Sequence, residues 1–264
     1  MLMDRKTIGF IGAGNMAFAI AEGIPNPVCL YDRNAKAYEK FISDRYTVCA
    51  SISELVNASN LIVLSVKPQN FADVLPEIAA AVSEKRRVIL SIAAGITLET
   101  LENALPGQPV IRVMPNTPLL VGEGAAVLCR GKLASDSDFA EAKALFAAGG
   151  VTAEITEDKM NAEIAIHGSS PAIFFEMADR VMKYGSSIGL KERDALQLFC
   201  QTMIGSAKMM LTDSRSPKEL SRAVCSPGGT TLAMLDQLEK YRWLEGLEAS
   251  FVACTRRAEE LSGK

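Results

Sequence analysis

The chain has 264 residues, 48% of them hydrophobic, and a formal net charge of −3 at pH 7. That length allows one large or two ordinary domains with a proper core. It has no basic run and a single Trp, which excludes the usual charge and stacking pattern of a nucleic-acid-binding protein. No apolar stretch reaches the ~18 residues that a membrane helix needs, so we expect a cytoplasmic protein with neither nucleic acid nor membrane as a partner.

The cysteines do not predict a metal centre. They are dispersed, no Cys-x-x-Cys pair occurs, and the chain has one His, whereas zinc sites need closely spaced Cys and His pairs. We expect most of these thiols to be small buried side chains without disulfides. Their positions are Cys29, Cys49, Cys129, Cys200, Cys225 and Cys254.

The first predicted element is a strand that runs into a glycine-rich turn. Gly-x-Gly-x-x-Ala, at Gly12, Gly14 and Ala17, leads into a helical pattern of small residues. This order is typical of dinucleotide-binding βαβ units, where the first glycine permits the turn, the second leaves room for a pyrophosphate and the third position packs closely on the strand. The phosphates would bind the N–H groups at the helix N-terminus. We therefore predict cofactor contacts at Ile11, Gly12, Ala13, Gly14, Asn15 and Met16.

The end of the second predicted strand bears on the choice of cofactor. This strand ends about 20 residues after Gly12, as the fingerprint requires, and Asp32 follows it. An acid at this place commonly binds the ribose 2′-OH of NAD. Arg33 and Asn34 come next, and an Arg can pair a 2′-phosphate through its planar fork. If Asp32 points away and Arg33 forms the phosphate cradle, NADP is preferred.

Up to residue 155, short apolar runs alternate with helical patterns, which indicates a parallel sheet covered on both faces. We predict an α/β Rossmann domain over residues 1–158 with a mostly parallel, doubly wound sheet. Its predicted strands are 7–10, 28–31, 47–49, 61–64, 88–91, 110–113, 125–128 and 152–155, and its helices lie near 17–23, 35–43, 52–58, 71–81, 98–105 and 137–147.

Strand signals vanish after Glu157, and apolar residues recur with helical periodicity. We predict an all-α domain over residues 159–264, with helices at 160–166, 173–188, 193–211, 231–238 and 244–261. Its stripes rich in Ala, Met and Leu are most simply interpreted as part of the hydrophobic core. A small bundle this apolar also favours burial against a second copy, so we expect a homodimer formed through this domain.

Six segments carry motifs that occur in register from about residue 7 to 240, namely residues 9–16, 65–69, 91–97, 112–118, 168–172 and 224–231. The most specific is the Ser-Pro-Gly-Gly-Thr-Thr run that opens a helix. Together these segments resemble the pyrroline-5-carboxylate reductase family. The chain departs from the family at Ser214-Arg215-Ser216-Pro217, where the family usually has Gly-x-His-Pro, at Ile173, where an aromatic residue often stands, and in the short connection 23–27.

The resemblance implies reduction of 1-pyrroline-5-carboxylate to L-proline by NADP(H), with some tolerance of NADH. We accordingly expect NADPH, held in part by Arg33 and Asn34. The nucleotide-side motifs fall at the C-terminal ends of predicted parallel strands, the edge where open α/β sheets bind ligands. Asn116 would hydrogen-bond near the nicotinamide, or it stabilises a turn. The other expected cofactor contacts are Ser65, Val66, Lys67, Pro68, Ala93 and Ala94.

The Ser-Pro-Gly-Gly-Thr-Thr run is the expected substrate site. Ser226 is a suitable N-cap and Pro227 suits the first helical turn. Two bare glycines expose N–H groups that fit a carboxylate without a side-chain cation. The alternative is merely a well-capped helix, although adjacent glycines are poor helix formers. The predicted substrate contacts are Ser226, Gly228, Gly229, Thr230 and Thr231.

A protonated iminium needs little acid–base help, because hydride transfer neutralises it. We expect the single histidine, His167, to be structural, whereas alcohol dehydrogenases often use a His. Thr231 is the predicted catalytic residue: it would hydrogen-bond the ring nitrogen, orient the imine and relay a proton. Orientation alone can lower a barrier by several kcal/mol.

Other functions remain open at the sequence level. A β-hydroxyacid-dehydrogenase-like enzyme would use a lysine near the start of the second domain, where Lys159 lies without the expected spacing. A non-catalytic NADP-binding sensor would bind the cofactor without turning over an imine. Intact motifs on both the cofactor and the substrate side favour the reductase.

Overall fold

The structure is a computed structural model that describes residues 6–82 and 85–263. The outermost ends of both predicted domains, at residues 1–5 and 264, therefore lie outside the described residues. The chain divides into two compact units, one of Met1–Ser169 with Cys254–Lys264 and the other of Ser170–Ala253.

The first unit is built on a sheet of eight strands in the order β3-β2-β1-β4-β5-β6-β7-β8. Neighbouring strands are parallel except for β6 and β7, which pair antiparallel. This confirms the mostly parallel, doubly wound sheet. The strands are β1 (Ile8–Ile11), β2 (Val28–Tyr31), β3 (Tyr46–Val48), β4 (Leu61–Leu64), β5 (Val88–Ser91), β6 (Val110–Pro115), β7 (Gly124–Arg130) and β8 (Gly150–Glu154).

Helices cover both faces of this sheet and give it two hydrophobic cores. Phe10 and Val63 belong to one core, whereas their neighbours Ile11 and Leu64 belong to the other, because successive side chains of a strand point to opposite faces. The strand order reverses between β1 and β4, which creates a crevice at the carboxyl edge. The helices are α1 (Asn15–Glu22), α2 (Ile52–Ala58), α3 (Phe71–Val82), α4 (Leu98–Ala104) and α5 (Asp136–Ala147).

Two predictions of helices, for segments that fall in this unit, are wrong. The segment predicted as 35–43 forms only a 3-10 turn over Ala35–Tyr38, and the Asn34 side chain caps it by accepting a hydrogen bond from the Lys36 amide. The segment predicted as 160–166 holds only the 3-10 turn Glu163–Ala165. Short helices are marginal without a face to bury, and neither turn is long enough to provide one.

The connection after β8 stays with the first unit through buried polar contacts. Arg112 of β6 is 1% exposed, and its guanidinium donates to Glu157 at 2.8 Å. Asn161 accepts from Arg112 at 3.4 Å and from the Ser262 hydroxyl at 3.2 Å. These contacts explain why the compact unit extends to Ser169 and includes the C-terminal residues from Cys254. The domain boundary at residue 158 stays a prediction.

The second unit is entirely helical in secondary structure, which agrees with the predicted all-α region. Gly185 allows close packing of two helices, because an added Cβ would lie 2.6 Å from the Ala195 Cβ. Large apolar side chains are nevertheless exposed, among them Phe175 at 67% and Leu211 at 86%. The helices that begin in this unit are α6 (Ser170–Ser187), α7 (Glu192–Thr212), α8 (Pro217–Ala223), α9 (Thr230–Lys240) and α10 (Trp243–Leu261).

Helix α8 is absent from the predicted elements. It starts with a capping box, in which the Ser216 hydroxyl and the Glu219 carboxylate exchange hydrogen bonds with each other's backbone amides. The Ser-Pro-x-Glu pattern is a known N-terminal signal, so the sequence does contain the information. None of the helices in the described part of the chain combines the length and the apolar composition that a membrane span requires.

Candidate functional site

The glycine-rich turn has the conformation that the motif predicts. Gly12 has φ +100°, and a Cβ there would lie 2.7 Å from the Ser65 carbonyl carbon. Gly14 is the N-cap of α1, no side chain caps that helix, and a Cβ on Gly14 would meet nothing within 4 Å. Ala17 is fully buried against the sheet. The turn therefore leaves open space above Gly14 beside an uncapped helix N-terminus, which fits a pyrophosphate.

Ser65 holds the ends of the two central strands together. Its hydroxyl donates to the Gly12 carbonyl at 2.5 Å and lies 3.1 Å from the Ile11 carbonyl. Its amide donates to Ile11 at 2.9 Å. Because these atoms lie at the point where the strand order reverses, Ser65 stabilises the wall of the crevice itself.

A pocket of about 400 Å³ opens at this strand edge. Predicted cofactor residues from three separate strand ends line it, which brings together the Gly-rich turn, the β2 end and the β4 end. The lining residues are Ile11, Gly12, Gly14, Tyr31, Asp32, Arg33, Ser65, Val66, Lys67, Gln69, Asn70 and Val74.

Sequence reasoning did not single out four of these lining residues. Gln69 and Asn70 belong to a 3-10 turn that begins at Pro68, and Asn70 donates its amide to the Lys67 carbonyl at 2.9 Å. The signal was their position directly after Lys67-Pro68 at a strand end. Tyr31 and Val74 are missed for a different reason, since an apolar residue inside a strand or helix looks like core.

The Asp32 carboxylate accepts hydrogen bonds from two backbone amides of the chain. Its Oδ2 accepts from the Ala13 amide at 2.8 Å, and its Oδ1 accepts from the Asn34 amide at 2.8 Å. The backbone carbonyl of Asp32 accepts from the Tyr38 hydroxyl at 2.7 Å. Asp32 therefore ties the β2 end to the Gly-rich turn while it also lines the pocket.

The remaining predicted cofactor residues do not line this pocket. Asn15 accepts from the Lys40 ammonium at 2.9 Å. Asn34 caps its 3-10 turn, and Pro68 begins the next one. Ala13 and Ala93 are buried. The residues outside the lining are Ala13, Asn15, Met16, Asn34, Pro68, Ala93, Ala94 and Asn116.

Asn116 and His167 are joined in a buried hydrogen-bond network. The Asn116 side chain donates to the His167 carbonyl at 3.2 Å and accepts from the Ala125 amide at 2.9 Å. This is the turn-stabilising role that the sequence left open, and a contact of Asn116 with nicotinamide stays a prediction.

Both ring nitrogens of His167 face acceptors. Nε2 lies 2.9 Å from the Met114 carbonyl and Nδ1 lies 2.5 Å from the Glu163 carboxylate. Burial lowers the pKa of His167, but the hydrogen bonds to Glu163 and Met114 outweigh it, so the pKa is raised above its usual value. Only the protonated ring donates from both nitrogens. These contacts agree with the expected structural role.

The Ser-Pro-Gly-Gly-Thr-Thr run of the second unit forms a turn that opens α9. Gly228 has φ +68°, and the N-cap is Gly229, without a side-chain cap. Ser226 is therefore not the N-cap that the pattern predicted, and Pro227 precedes the first helical turn. The Gly229 amide donates to the Ser226 carbonyl at 2.9 Å, and this reversal places the helix start after the glycines.

The same turn favours glycine at position 228, where φ is positive, and leaves the helix N-terminus open. A Cβ on Gly229 would lie 2.3 Å from the Ser226 hydroxyl, whereas one on Gly228 would meet nothing within 4 Å. Thr231, in the first turn of α9, is half-buried. Uncapped amides with open space above the backbone suit a carboxylate ligand.

Two family models match the chain. The model described as pyrroline-5-carboxylate reductase dimerisation matches residues 157–261. The model described as NADP oxidoreductase coenzyme F420-dependent matches residues 7–95. The first covers the helical part of the chain, and the second covers the Gly-rich turn and the β4 end.

Curated relatives match almost the whole chain. A pyrroline-5-carboxylate reductase of Arabidopsis thaliana is 36% identical over 263 residues, which cover 97% of this chain and 95% of the relative. One of Methanosarcina acetivorans is 35% identical over 269 residues and covers 98% of both. The similarity therefore includes the Gly-rich turn and the Ser-Pro-Gly-Gly-Thr-Thr turn in one alignment.

Solved structures agree with this result. The chain superposes on a Plasmodium falciparum pyrroline carboxylate reductase with NADP bound, with a TM-score of 0.90, 28% identity and coverage of 98% of this chain and 99% of that one. A pyrroline-5-carboxylate reductase of Coxiella burnetii gives a TM-score of 0.88 at 30% identity, covering 97% of this chain and 98% of that one.

Proposed function

The chain belongs to the pyrroline-5-carboxylate reductase family, and from that membership we propose how its own residues carry out the reaction. The enzyme reduces 1-pyrroline-5-carboxylate to L-proline with NAD(P)H, the final step of proline biosynthesis. The observation that carries this function is the identity of 36% over 97% of the chain, because it spans the cofactor side and the substrate side together.

NADPH is the proposed cofactor, with NADH tolerated. The open space above Gly14 and the uncapped start of α1 fit the pyrophosphate. Asp32 lines the pocket, but its carboxylate already accepts from the Ala13 and Asn34 amides, which supports NADP over NAD. Arg33 then pairs the 2′-phosphate, and Ser65, Val66 and Lys67 form the opposite wall. When bound, the nicotinamide supplies the hydride.

The substrate carboxylate is proposed to bind the turn that opens α9. Gly228 and Thr230 present backbone amides there, whereas the Gly229 amide donates to the Ser226 carbonyl, so Gly229 contributes an N-cap without a competing side chain. The dipole of α9 favours a negative charge at this end. Ser226 shapes the turn through its carbonyl, so its role toward the substrate is through the backbone.

Thr231 is the proposed catalytic residue. Its hydroxyl hydrogen-bonds the ring nitrogen and orients the imine, and it relays a proton from water to the neutral amine that hydride transfer leaves. A substrate that enters as an iminium needs no strong base, and the chain's single histidine is engaged by Glu163 and Met114. Catalysis then depends on holding the carboxylate and the nitrogen at the same time.

The functional unit is a homodimer formed through the helical domain. The dimerisation model covers residues 157–261, and the exposed apolar side chains of α6 and α7 need such a partner. We assign domains over residues 1–158 and 159–264. We also place the protein in the cytoplasm, a compartment that suits its unpaired cysteines.

The decisive experiment follows NADPH oxidation at about 340 nm with pyrroline-5-carboxylate, and runs NADH in parallel. Imine-dependent oxidation that is faster with NADPH supports the assignment. A folded protein that binds NADPH without oxidising it in the presence of the imine would support the sensor. Turnover of small 3-hydroxyacids would support the β-hydroxyacid dehydrogenase instead.

A further inference from the structure

The guanidinium of Arg33 is paired with two carboxylates of helix α3. Its Nη1 lies 3.3 Å from Asp73 Oδ2, and its Nη2 lies 3.5 Å from Glu77 Oε1. Residues four apart lie on the same face of a helix, so both carboxylates approach the fork from one side. The three side chains are about half exposed. The group that should receive a 2′-phosphate therefore already has anionic partners.

These carboxylates lie next to the cofactor pocket. Arg33 lines the pocket from the β2 end, and Val74, the residue after Asp73, lines it from α3. A phosphate that binds the Arg33 fork would come within several ångströms of Asp73 and Glu77. Like charges at such a distance repel, and water and salt weaken the repulsion without abolishing it.

We propose that Asp73 and Glu77 set the cofactor specificity by competing with the 2′-phosphate for Arg33, and so lower the preference for NADPH over NADH. This proposal rests on the proposed role of Arg33 toward NADPH. NADH carries a neutral 2′-OH at the same place, so the carboxylates do not repel it there. Removal of either charge should improve 2′-phosphate binding by about three- to tenfold, as expected of a screened charge pair.

The test uses the full-length enzyme and two probes that need no turnover. 2′,5′-ADP carries the 2′-phosphate and ADP lacks it, and calorimetry gives the Kd of each. Asp73→Asn and Glu77→Gln keep the side-chain shape and remove one charge each. Both should tighten 2′,5′-ADP, leave ADP unchanged and raise the NADPH/NADH ratio of kcat/KM. Glu77→Gln is the safer variant, because Asp73 lies in the first turn of α3.

Asp136→Asn is the matched control. It removes the same charge from another Arg–carboxylate pair, in which the Asp136 carboxylate is exposed and its partner is Arg130 of β7, toward the opposite end of the sheet from β2. The control should leave the ratio of the two Kd values unchanged. In about 0.5 M salt the gain from Glu77→Gln should shrink, because the Debye length falls to a few ångströms.

Arg33→Ala separates the inference from its premise. If this variant binds 2′,5′-ADP as tightly as the wild type, Arg33 does not hold the phosphate and both ideas fail. If Arg33→Ala weakens 2′,5′-ADP but Glu77→Gln and Asp73→Asn leave it unchanged or weaken it, the role of Arg33 stands. In that case Asp73 and Glu77 position the Arg33 guanidinium for the phosphate, and the proposed competition is overturned.

Discussion

The Oδ2 atom of Asp32 accepts a hydrogen bond of 2.8 Å from the backbone amide of Ala13, inside the Gly-rich turn. An acid after the second strand of a dinucleotide-binding unit commonly binds the ribose. Here the same carboxylate organises the turn that should receive the pyrophosphate. We therefore expect Asp32 to contribute to binding of either nicotinamide cofactor, and Arg33, the next residue, to discriminate between them.

Replacement of Asp32 by Ala should weaken NADPH and NADH to a similar extent, by about tenfold, because it removes a charge-assisted hydrogen bond that holds the turn. Fluorescence titration of the two reduced cofactors measures this effect. Asp32→Ser serves as a milder variant that retains an acceptor. A loss confined to NADH would show instead that Asp32 reads the 2′-OH.

Substitution of the two glycines of the Gly-rich turn should affect different properties, stability at Gly12 and NADPH binding at Gly14. Gly12→Ala places a Cβ 2.7 Å from the Ser65 backbone at φ +100°, so we expect a loss of at least about 2 kcal/mol in stability. Gly14→Ala meets no protein atom within 4 Å, so it should fold with an unchanged Tm. It should nevertheless bind NADPH at least about tenfold more weakly, because the methyl group occupies the pyrophosphate space.

Thermal unfolding and NADPH titration of both variants make the comparison. If Gly14→Ala binds NADPH as tightly as the wild type does, the pyrophosphate does not bind at Gly14. An unchanged Tm for Gly12→Ala would mean that the neighbouring β4 end can shift to accept a side chain.

Thr231→Ala should lower kcat/KM for the imine by at least about tenfold and leave the Kd for NADPH unchanged, because the hydroxyl orients the ring nitrogen. Thr231→Ser retains the hydroxyl and should recover most of the activity. Steady-state kinetics with a separate cofactor titration distinguish the two effects. Wild-type rates for Thr231→Ala would exclude the hydroxyl from the mechanism.

His167 should make the stability depend on pH in a definite direction. Its pKa is raised in the folded protein, so protonation of its ring favours folding. The contribution is fully present below the unfolded pKa of about 6.5 and is lost as the pH rises through the higher folded value. His167→Gln should therefore lower the Tm more at pH 6 than at pH 9.

The pH series should be repeated with Glu163→Gln, since Glu163 accepts from the His167 ring at 2.5 Å. This variant removes the charge that favours the protonated ring, so it should also reduce the pH dependence. Equal losses of Tm at both pH values for His167→Gln would mean that the ring acts only by packing and neutral hydrogen bonding.

Most regular elements were predictable because their signals are local. The strands at 28–31, 61–64 and 88–91 have the predicted bounds, since short apolar runs between polar turns identify buried strands. The failures have physical causes as well. The segment after Asn34 shows a helical pattern but forms only a capped 3-10 turn. Helix α8 is missing from the predicted elements, although the Ser216–Glu219 capping box at its start can be recognised in the sequence.

Some features of the candidate site could likewise be predicted from local sequence signals, and others could not. Gly12, Gly14 and Ser65 could be placed from sequence because a backbone conformation or a strand end demands them. The N-cap of α9 could not, because the Gly229 amide bonds to the Ser226 carbonyl and the cap is the glycine rather than the serine. Helix boundaries depend on such local hydrogen bonds, which one residue can shift.

By itself the sequence determined the sheet, the Gly-rich turn, the glycines that open α9 and the family, because these depend on local conformation and on motifs within short segments. Only the tertiary structure decided where the polar side chains point. Asp32 meets Ala13 across 19 residues, Arg33 meets Asp73 across 40, and His167 meets Met114 across 53. Hydrogen bonds and ion pairs act over a few ångströms, so a side chain's partner is set by packing that brings distant segments together.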